Sequence, residues 1–188
     1  MRKACSPWPT CKDFWTPPET WNPLVTMPWS LFWQVRDPGN AGTVIRSADA
    51  AGCAAVVFVD ECVDIFNPKV IRSTAGSLFH LPVLTMGTEA FFAWCDERNL
   101  AIYAADVYGT DSRPPEPLTD VLAEPSTLAG AKTMIFGNEA RGLTREVLDR
   151  TDRIVSIPIY GKAESLNLGT SAAVMLLSLA MSSHVERM

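Results

Sequence analysis

From Ser30 onward the sequence alternates between short apolar runs and longer amphipathic stretches, and this alternation constrains the fold more than any other feature. The apolar runs are rich in Val, Ile and Phe, which is typical of strands buried on both faces. Alternation of strands and helices predicts an α/β fold, with a parallel sheet and helices on both of its faces. The predicted strands cover residues 31–35, 54–59, 81–86, 100–105, 133–136 and 154–157. The predicted helices cover residues 43–51, 68–75, 89–98, 145–150 and 168–185.

Two segments do not follow this pattern. Residues 1–29 hold four of the six tryptophans and six of the fourteen prolines, and proline removes backbone donors and fixes φ. We therefore expect an irregular Trp/Pro-rich arm over residues 1–29 and a single domain over residues 30–188. Residues 108–130 are rich in proline and acids, and we expect them to form a surface loop.

Composition excludes several classes of protein. Hydrophobic residues make up 47% of the chain, enough for a packed core, yet we find no uncharged apolar run of membrane-spanning length and expect no signal peptide. The five cysteines are odd in number and show no C-x-x-C spacing, so we expect buried free thiols in a reducing cytoplasm rather than disulfides or zinc. The two histidines, His80 and His184, are far apart in the sequence. We expect no metal site.

Glycine and polar residues follow three of the predicted strands, and ligands of open α/β sheets bind at the carboxyl ends of strands. The segments are residues 37–46 (DPGNAGTVIR), 136–143 (FGNEARGL) and 157–167 (IPIYGKAESLN). None is a dinucleotide fingerprint or a P-loop. Each also has a function-free interpretation: a helix start with a solvated Arg46, a turn with a surface Glu139, and a cap provided by Ser165 or Asn167. In the first segment we expect a tight glycine turn, with Arg46 near the first turn of the helix that follows.

Together the three segments resemble the motifs of the SpoU (TrmH) family of SPOUT methyltransferases. The first resembles Asn-x-Gly-x-x-x-Arg, through Asn40, Gly42 and Arg46. The second is similar to Gly-x-Glu-x-x-Gly-Leu and the third to Ile-Pro-x-x-Gly-x-x-x-Ser-Leu-Asn. Residues 68–82 also resemble the middle region of that family.

The resemblance implies a parallel α/β sheet whose C-terminal segment forms a deep trefoil knot, one of the rare exceptions to the rule against knots. It further implies that the knot loops bind S-adenosyl-L-methionine, that the protein is a homodimer with its site at the interface, and that it methylates a ribose 2′-oxygen of rRNA or tRNA. No membrane or metal enters this reaction.

The resemblance also assigns roles to residues. Arg46 is the candidate for activating the 2′-hydroxyl, as a base or as a cation that stabilises the developing alkoxide. Arginine is a reluctant base because it stays protonated in water, and stabilisation is the easier role. Asn40, Glu139, Ser165 and Asn167 complete the expected catalytic set. The backbone at Gly137, Ile157, Ile159 and Leu166 would bind the cofactor.

The net charge of −5 is unusual for an RNA-binding protein, but it is unevenly distributed. Residues 86–131 carry −6, which leaves +1 for the rest of the chain, including the three motifs. Two alternatives stay open. One is a catalytically silent RNA-binding or assembly protein that retains the SPOUT fold, and the other is an unrelated nucleotide enzyme. The arm at residues 1–29 does not resemble the L30-type RNA-binding domain that precedes the catalytic domain in many family members.

Overall fold

The computed structural model describes residues 29–124, 132–138 and 141–185. In these ranges the chain forms one sheet of seven parallel strands in the order β3-β2-β1-β6-β4-β7-β5. The strands are β1 (Trp29–Trp33), β2 (Val56–Val59), β3 (Val83–Met86), β4 (Ala101–Ala105), β5 (Glu116–Pro117), β6 (Lys132–Phe136) and β7 (Arg153–Ser156). The helices are α1 (Pro38–Ala50), α2 (Pro68–Ser73), α3 (Thr88–Arg98), α4 (Leu118–Ala123), α5 (Arg145–Asp149) and α6 (Leu168–Val185), and a 3₁₀ turn spans Ser77–Phe79. The predicted parallel α/β fold is confirmed.

Apolar layers cover both faces of the sheet because successive side chains of a strand point in opposite directions. On one face, Phe32 and Phe136 pack beneath α1 and α6, with ring centroids 5.0 Å apart and nearly parallel planes. On the other face, Trp33 and Ile135 pack against the aromatic residues of α3 and the apolar side of α5. No helix in the described ranges has the length and apolarity that crossing a membrane requires.

Three cysteines lie in the described ranges, and all three are free. Cys53 and Cys95 are buried, which confirms the expected buried thiols at these positions, whereas Cys62 is half-buried. Burial disfavours the charged thiolate and raises the pKa of both Cys53 and Cys95 to about 12. Cys5 and Cys11 lie outside the described residues, as does the predicted arm up to residue 28.

The predicted start of the first helix is wrong. Helix α1 begins at Pro38 rather than at residue 43, because Asp37 caps it and proline suits the first helical position. The Asp37 Oδ1 atom accepts a hydrogen bond of 2.7 Å from the Asn40 N–H. Gly42 therefore lies within the helix, where a Cβ would fall 1.7 Å from the Ser73 Oγ atom of α2. Arg46 is exposed in the third turn of the helix, not near the first.

The expected loop over residues 108–130 is also wrong in part, because it contains β5 and α4. Strand β5 is an edge strand, where proline is tolerated. Leu118 and Val121 of α4 are buried. Arg153 of β7 forms ion pairs with Glu116 and Glu124, which attach the acidic segment to the sheet.

Strand order determines where the three motifs meet. Phe32, Phe136, Ala105 and Val155 form one row across β1, β6, β4 and β7. Each of these residues is at or near the carboxyl end of its strand. The segments that follow the four strands therefore leave the sheet side by side.

Candidate active site

The carboxyl ends of β6, β4 and β7 surround a cavity of about 670 Å³. Its floor is apolar and includes Phe136, Val155 and Met175, all of which are buried. Its walls are the segments that follow the three strands, together with the start of α6. A cavity of this size, with an apolar floor and polar walls, suits a nucleoside-sized ligand.

The segment after β6 forms a tight loop. Gly142 adopts a positive φ of 65°, and its N–H donates to the Asn138 carbonyl over 2.8 Å. A Cβ at Gly137 would fall 2.3 Å from the Gly142 carbonyl carbon, so the two backbone segments touch at a distance that only glycine permits. Gly137, Asn138 and Gly142 all line the cavity. Glu139 lies outside the described residues, and its position at the site stays a prediction.

Asn138 connects this loop to the neighbouring strand. Its Nδ2 atom donates a 2.8 Å hydrogen bond to the carbonyl of Gln34, just beyond β1. Gln34 has a φ of 51°, in the left-handed region that non-glycine residues seldom occupy. This hydrogen bond therefore holds the backbone just after β1, which leads into the first motif, against the loop of the second motif.

The segment after β7 supplies the opposite wall. Ile157, Ile159, Ser165 and Leu166 line the cavity, so the structure brings these four predicted residues together with Gly137. Asn167 ends the segment and caps α6, because its Oδ1 atom accepts from the Gly169 N–H over 2.9 Å. The function-free interpretation of Asn167 as a cap is thus correct, but it accounts for only one end of the side chain.

The other end of that side chain joins the first motif to the third. The Nδ2 atom of Asn167 donates to the Oδ1 atom of Asn40 over 3.1 Å. The start of α6 also lies close against α1, since a Cβ at Gly169 would fall 2.7 Å from the Thr43 Cγ2 atom.

Arg46 is not among the residues that line the cavity. It lies in a separate shallow groove along α1, bordered by Ser77 on one side and by Leu177 of α6 on the other. Within this chain, therefore, the structure unites Asn40 with Asn167 but does not bring Arg46 to the cavity wall.

Sequence reasoning missed the loop after β4, which forms a third wall of the cavity. The Asp106 Oδ1 atom accepts from the N–H groups of Tyr108 and Gly109, both over 2.8 Å, and Gly109 has a φ of 66°. Arg113 attaches the end of this loop to α5 and to the turn that follows it, by donating to the carbonyls of Leu148, Thr151 and Asp152. An aspartate three residues before a glycine, directly after a buried strand, was the available signal for this turn.

Charges of both signs line the mouth of the cavity. Arg145 lies in the first turn of α5, where the helix dipole disfavours a cation, and it pairs with Asp111 across 2.9 Å. Both side chains are mostly exposed, so the pair contributes little to stability. Asp106 and Arg141 also line the cavity. In the described ranges no group of three His, Cys, Asp or Glu side chains could hold a metal ion.

A parallel sheet whose glycine-containing loops form one cavity at the carboxyl ends of central strands defines a nucleotide- or cofactor-binding α/β protein. The SpoU rRNA Methylase family model matches residues 31–177, and the chain belongs to this family.

Three known proteins illustrate the similarity. The chain is 40% identical over 145 residues to the 23S rRNA (guanosine(2553)-2′-O)-methyltransferase RlmP of Bacillus subtilis, covering 77% of this chain and 54% of that protein. The crystal structure of the SpoU methyltransferase AviRb from Streptomyces viridochromogenes superposes with a TM-score of 0.74 at 29% identity, covering 85% of this chain and 61% of that one. The AdoMet-bound rRNA methyltransferase from Sinorhizobium meliloti gives a TM-score of 0.70 at 30% identity, covering 85% and 60%. The chain thus spans little more than half the length of these relatives.

Proposed function

We propose that the chain transfers a methyl group from S-adenosylmethionine to a ribose 2′-hydroxyl of RNA, either rRNA or tRNA. The observation that carries this proposal is the cavity in which the segments of the second and third motifs meet. Relatives named as rRNA 2′-O-methyltransferases support the reaction, and the AdoMet-bound relative supports the cofactor.

The residues of the cavity fit this cofactor. The backbone at Gly137, Ile157, Ile159 and Leu166 would bind its polar edges, and the floor around Phe136 would accept the adenine ring. The charged side chains that line the cavity balance in sign, with Asp106 and Asp111 against Arg141 and Arg145, so the fit to the cofactor rests on shape and backbone rather than on net charge. When bound, S-adenosylmethionine supplies an electrophilic methyl group on a sulfonium.

The side chains of the protein orient the ribose hydroxyl and stabilise the charge that develops on it. A ribose hydroxyl is a weak nucleophile, and its oxygen must be held in line with the methyl group while negative charge develops on it. Arg46 would stabilise that charge as a preorganised cation, or accept the proton only if it has first lost its own. Ser165 would bind near the reacting centre, with Glu139 supporting the loop, while Asn40 and Asn167 position the segments through their mutual hydrogen bond.

We also propose that the protein is a homodimer in which the partner's Arg46 completes the site. Arg46 lies in the groove along α1, away from the cavity of its own chain. Near that groove, large apolar side chains are exposed on the 3₁₀ turn and on α6: Phe79 (79% exposed), Val174 (37%) and Met181 (62%). Burying such residues against a second copy would remove them from water and carry Arg46 toward another cavity.

Four further expectations accompany this function. The domain comprises residues 30–188 together with Trp29, which belongs to β1, and the residues before Trp29 form an arm. The C-terminal segment forms a trefoil knot, a proposal supported by the placement of β6 between β1 and β4 and by the packing of α6 on α1. The protein works in the cytoplasm. It has no resident metal, because methyl transfer from a sulfonium needs none.

Two measurements test the function. Calorimetry should detect binding of S-adenosylmethionine and none of NAD. Total rRNA and tRNA are incubated with the protein and methyl-labelled cofactor. The RNA should become labelled, and its backbone should resist alkaline cleavage next to the labelled ribose. Cofactor binding without any methyl transfer to RNA would instead support the catalytically silent alternative, and no cofactor binding would exclude both the reaction and the assignment of the cavity.

A heterodimer experiment tests the shared site. An Arg46→Ala chain and a Gly137→Ala chain should each be inactive alone. Co-expressed, they should regain activity, because the intact cavity of the first chain meets the intact arginine of the second. If the arginine acts within its own chain, every site in the mixture lacks one component and activity stays absent.

A further inference from the structure

Tyr160 is the most exposed of the large apolar or aromatic side chains in the described ranges, with 92% of its surface accessible. It lies in the segment between β7 and α6, directly after Ile159, which lines the cavity. A second tyrosine, Tyr108, is 78% exposed on the loop after β4, which forms another wall of the same cavity. Two loops that surround one cavity therefore each present an aromatic ring to solvent.

The turn that carries Tyr160 stands clear of the rest of the chain. A Cβ added at the neighbouring Gly161 would meet no atom within 4 Å. This open surface leaves room for a large ligand beside the ring. Ser165, which lines the cavity, follows five residues later in the same segment.

Charged side chains of both signs lie on the segments around Tyr160. Lys162 lies two residues from Tyr160 and is exposed, and Arg141 is exposed on the loop after β6, which lines the same cavity. The nearest opposing charge along the segment is Glu164, while Arg145 is already paired with Asp111. An exposed aromatic ring with basic side chains on the loops of the same cavity is an arrangement with which proteins bind single-stranded nucleic acid, stacking on bases and contacting phosphates.

We infer that Tyr160 is a base-stacking residue that holds a nucleobase of single-stranded RNA, so that the adjoining ribose enters the cavity. The inference rests on the proposed function and adds to it the class of substrate: an unpaired stretch of RNA. A paired helix keeps its bases stacked on one another and cannot present one to the ring.

The experiment compares three variants with the wild-type protein. Tyr160→Ala removes the ring, and Tyr160→Phe keeps the ring while removing the hydroxyl. Phe66→Ala is the matched control, since Phe66 is also exposed (65%) but follows β2, which β1, β6 and β4 separate from β7. Binding is measured by fluorescence anisotropy with three labelled probes of equal length: a 16-nucleotide single strand of mixed sequence, its duplex, and an abasic strand.

We expect Tyr160→Ala to weaken binding of the single strand on the order of 5- to 100-fold, the range found when base-stacking aromatics are truncated. Binding of the abasic strand and the affinity for S-adenosylmethionine should stay unchanged. Tyr160→Phe and Phe66→Ala should both bind the single strand as the wild-type protein does.

Three results would overturn the inference. Tyr160→Ala could weaken binding of the abasic strand equally, which would indicate a phosphate contact, or Tyr160→Phe could lose binding of the single strand, which would assign the effect to the hydroxyl. The third is that Phe66→Ala weakens binding of the single strand as much as Tyr160→Ala does. Sedimentation of each variant provides a fourth check, because a change of oligomeric state in Tyr160→Ala would show that the ring packs against a second copy instead. A wild-type protein that binds the single strand without methylating it would contradict the proposed function, but the binding comparison would still test whether Tyr160 stacks on a base.

Discussion

The Asn167 side chain donates to Asn40 across 3.1 Å while its oxygen caps helix α6, so one amide joins the first motif to the third and starts the last helix. These two tasks use different atoms. Substitutions at this position can therefore separate its contribution to stability from its contribution to the site.

Replacing Asn167 with Ala removes both contacts and should lower the free energy of unfolding by roughly 0.5–2 kcal/mol, the usual cost of losing a helix cap. Replacing it with Asp keeps an acceptor for the Gly169 N–H, and a carboxylate is favoured at a helix N-terminus. Asn167→Asp should thus unfold near the wild-type urea midpoint yet lose methyl transfer, since it cannot donate to Asn40. Wild-type activity in Asn167→Asp would show that the bond between the two asparagines is dispensable.

Arg46→Ala should keep the affinity for S-adenosylmethionine, because Arg46 does not line the cavity of its own chain and the role proposed for it in the partner's site is at the ribose hydroxyl. The turnover number should fall about 10²- to 10³-fold, as it does when a group that stabilises developing charge is removed. Calorimetry and single-turnover methyl transfer measure the two quantities separately. Arg98→Ala, which removes an exposed arginine from α3, is the control and should behave as wild type. Substantial activity in Arg46→Ala would refute the role assigned to this side chain.

Gly137→Ala places a Cβ 2.3 Å from the Gly142 carbonyl carbon, and relieving this clash requires the backbone itself to move. The expected result is a loss of about 1–3 kcal/mol in unfolding free energy, together with weaker cofactor binding as the loop shifts. Gly161→Ala is the matched control, because a Cβ there meets nothing within 4 Å. Urea denaturation and calorimetry on both variants provide the test, and equal behaviour of the pair would mean that the close approach of Gly137 to Gly142 within this loop has no role.

The buried thiol of Cys53 makes stability depend on alkaline pH. Burial raises its pKa from 9.0 to about 12, only partly offset by a hydrogen bond with Ser30. Above pH 9 the unfolded chain releases this proton while the folded protein retains it, so stability is complete below that pH and falls as the pH rises toward 12. The unfolding free energy of the wild type relative to Cys53→Ala should fall by about 1.4 kcal/mol per pH unit in this window. Urea denaturation at pH 9.5 and 10.5 measures the slope, and no change is expected between pH 6 and 7.5.

Sequence patterns predicted the buried strands well because a buried parallel strand needs a continuous apolar run, which few other structures tolerate. They failed at the start of α1, where glycine suggested a turn. There, the Asp37 cap and Pro38 favour the helix, and Gly42 lacks a side chain so that Ser73 can pack closely against it. That contact joins residues 31 positions apart, and no local pattern encodes it.

The candidate site was predictable for the second and third motifs, which follow β6 and β7, and Gly137, Ile157, Ile159, Ser165 and Leu166 do meet in one cavity. The loop after β4 was missed because its contribution is mainly to cavity shape, through backbone held by Asp106 and Arg113. The separation of Arg46 from the cavity depends on how α1 lies against α6, which no local pattern encodes; only the family resemblance, with its site at a dimer interface, pointed to an arginine supplied by the partner.

The placement of β6 has a consequence for how the protein is made. Synthesis releases β1 to β4 before residues 132–136, so the edges of β1 and β4 that β6 will occupy stay open in the growing chain. Open edges are templates for pairing with other chains. The interval between the emergence of β4 and that of β6 from the ribosome is thus a time of aggregation risk, and pausing synthesis within it should reduce soluble yield even where the finished fold is unaltered.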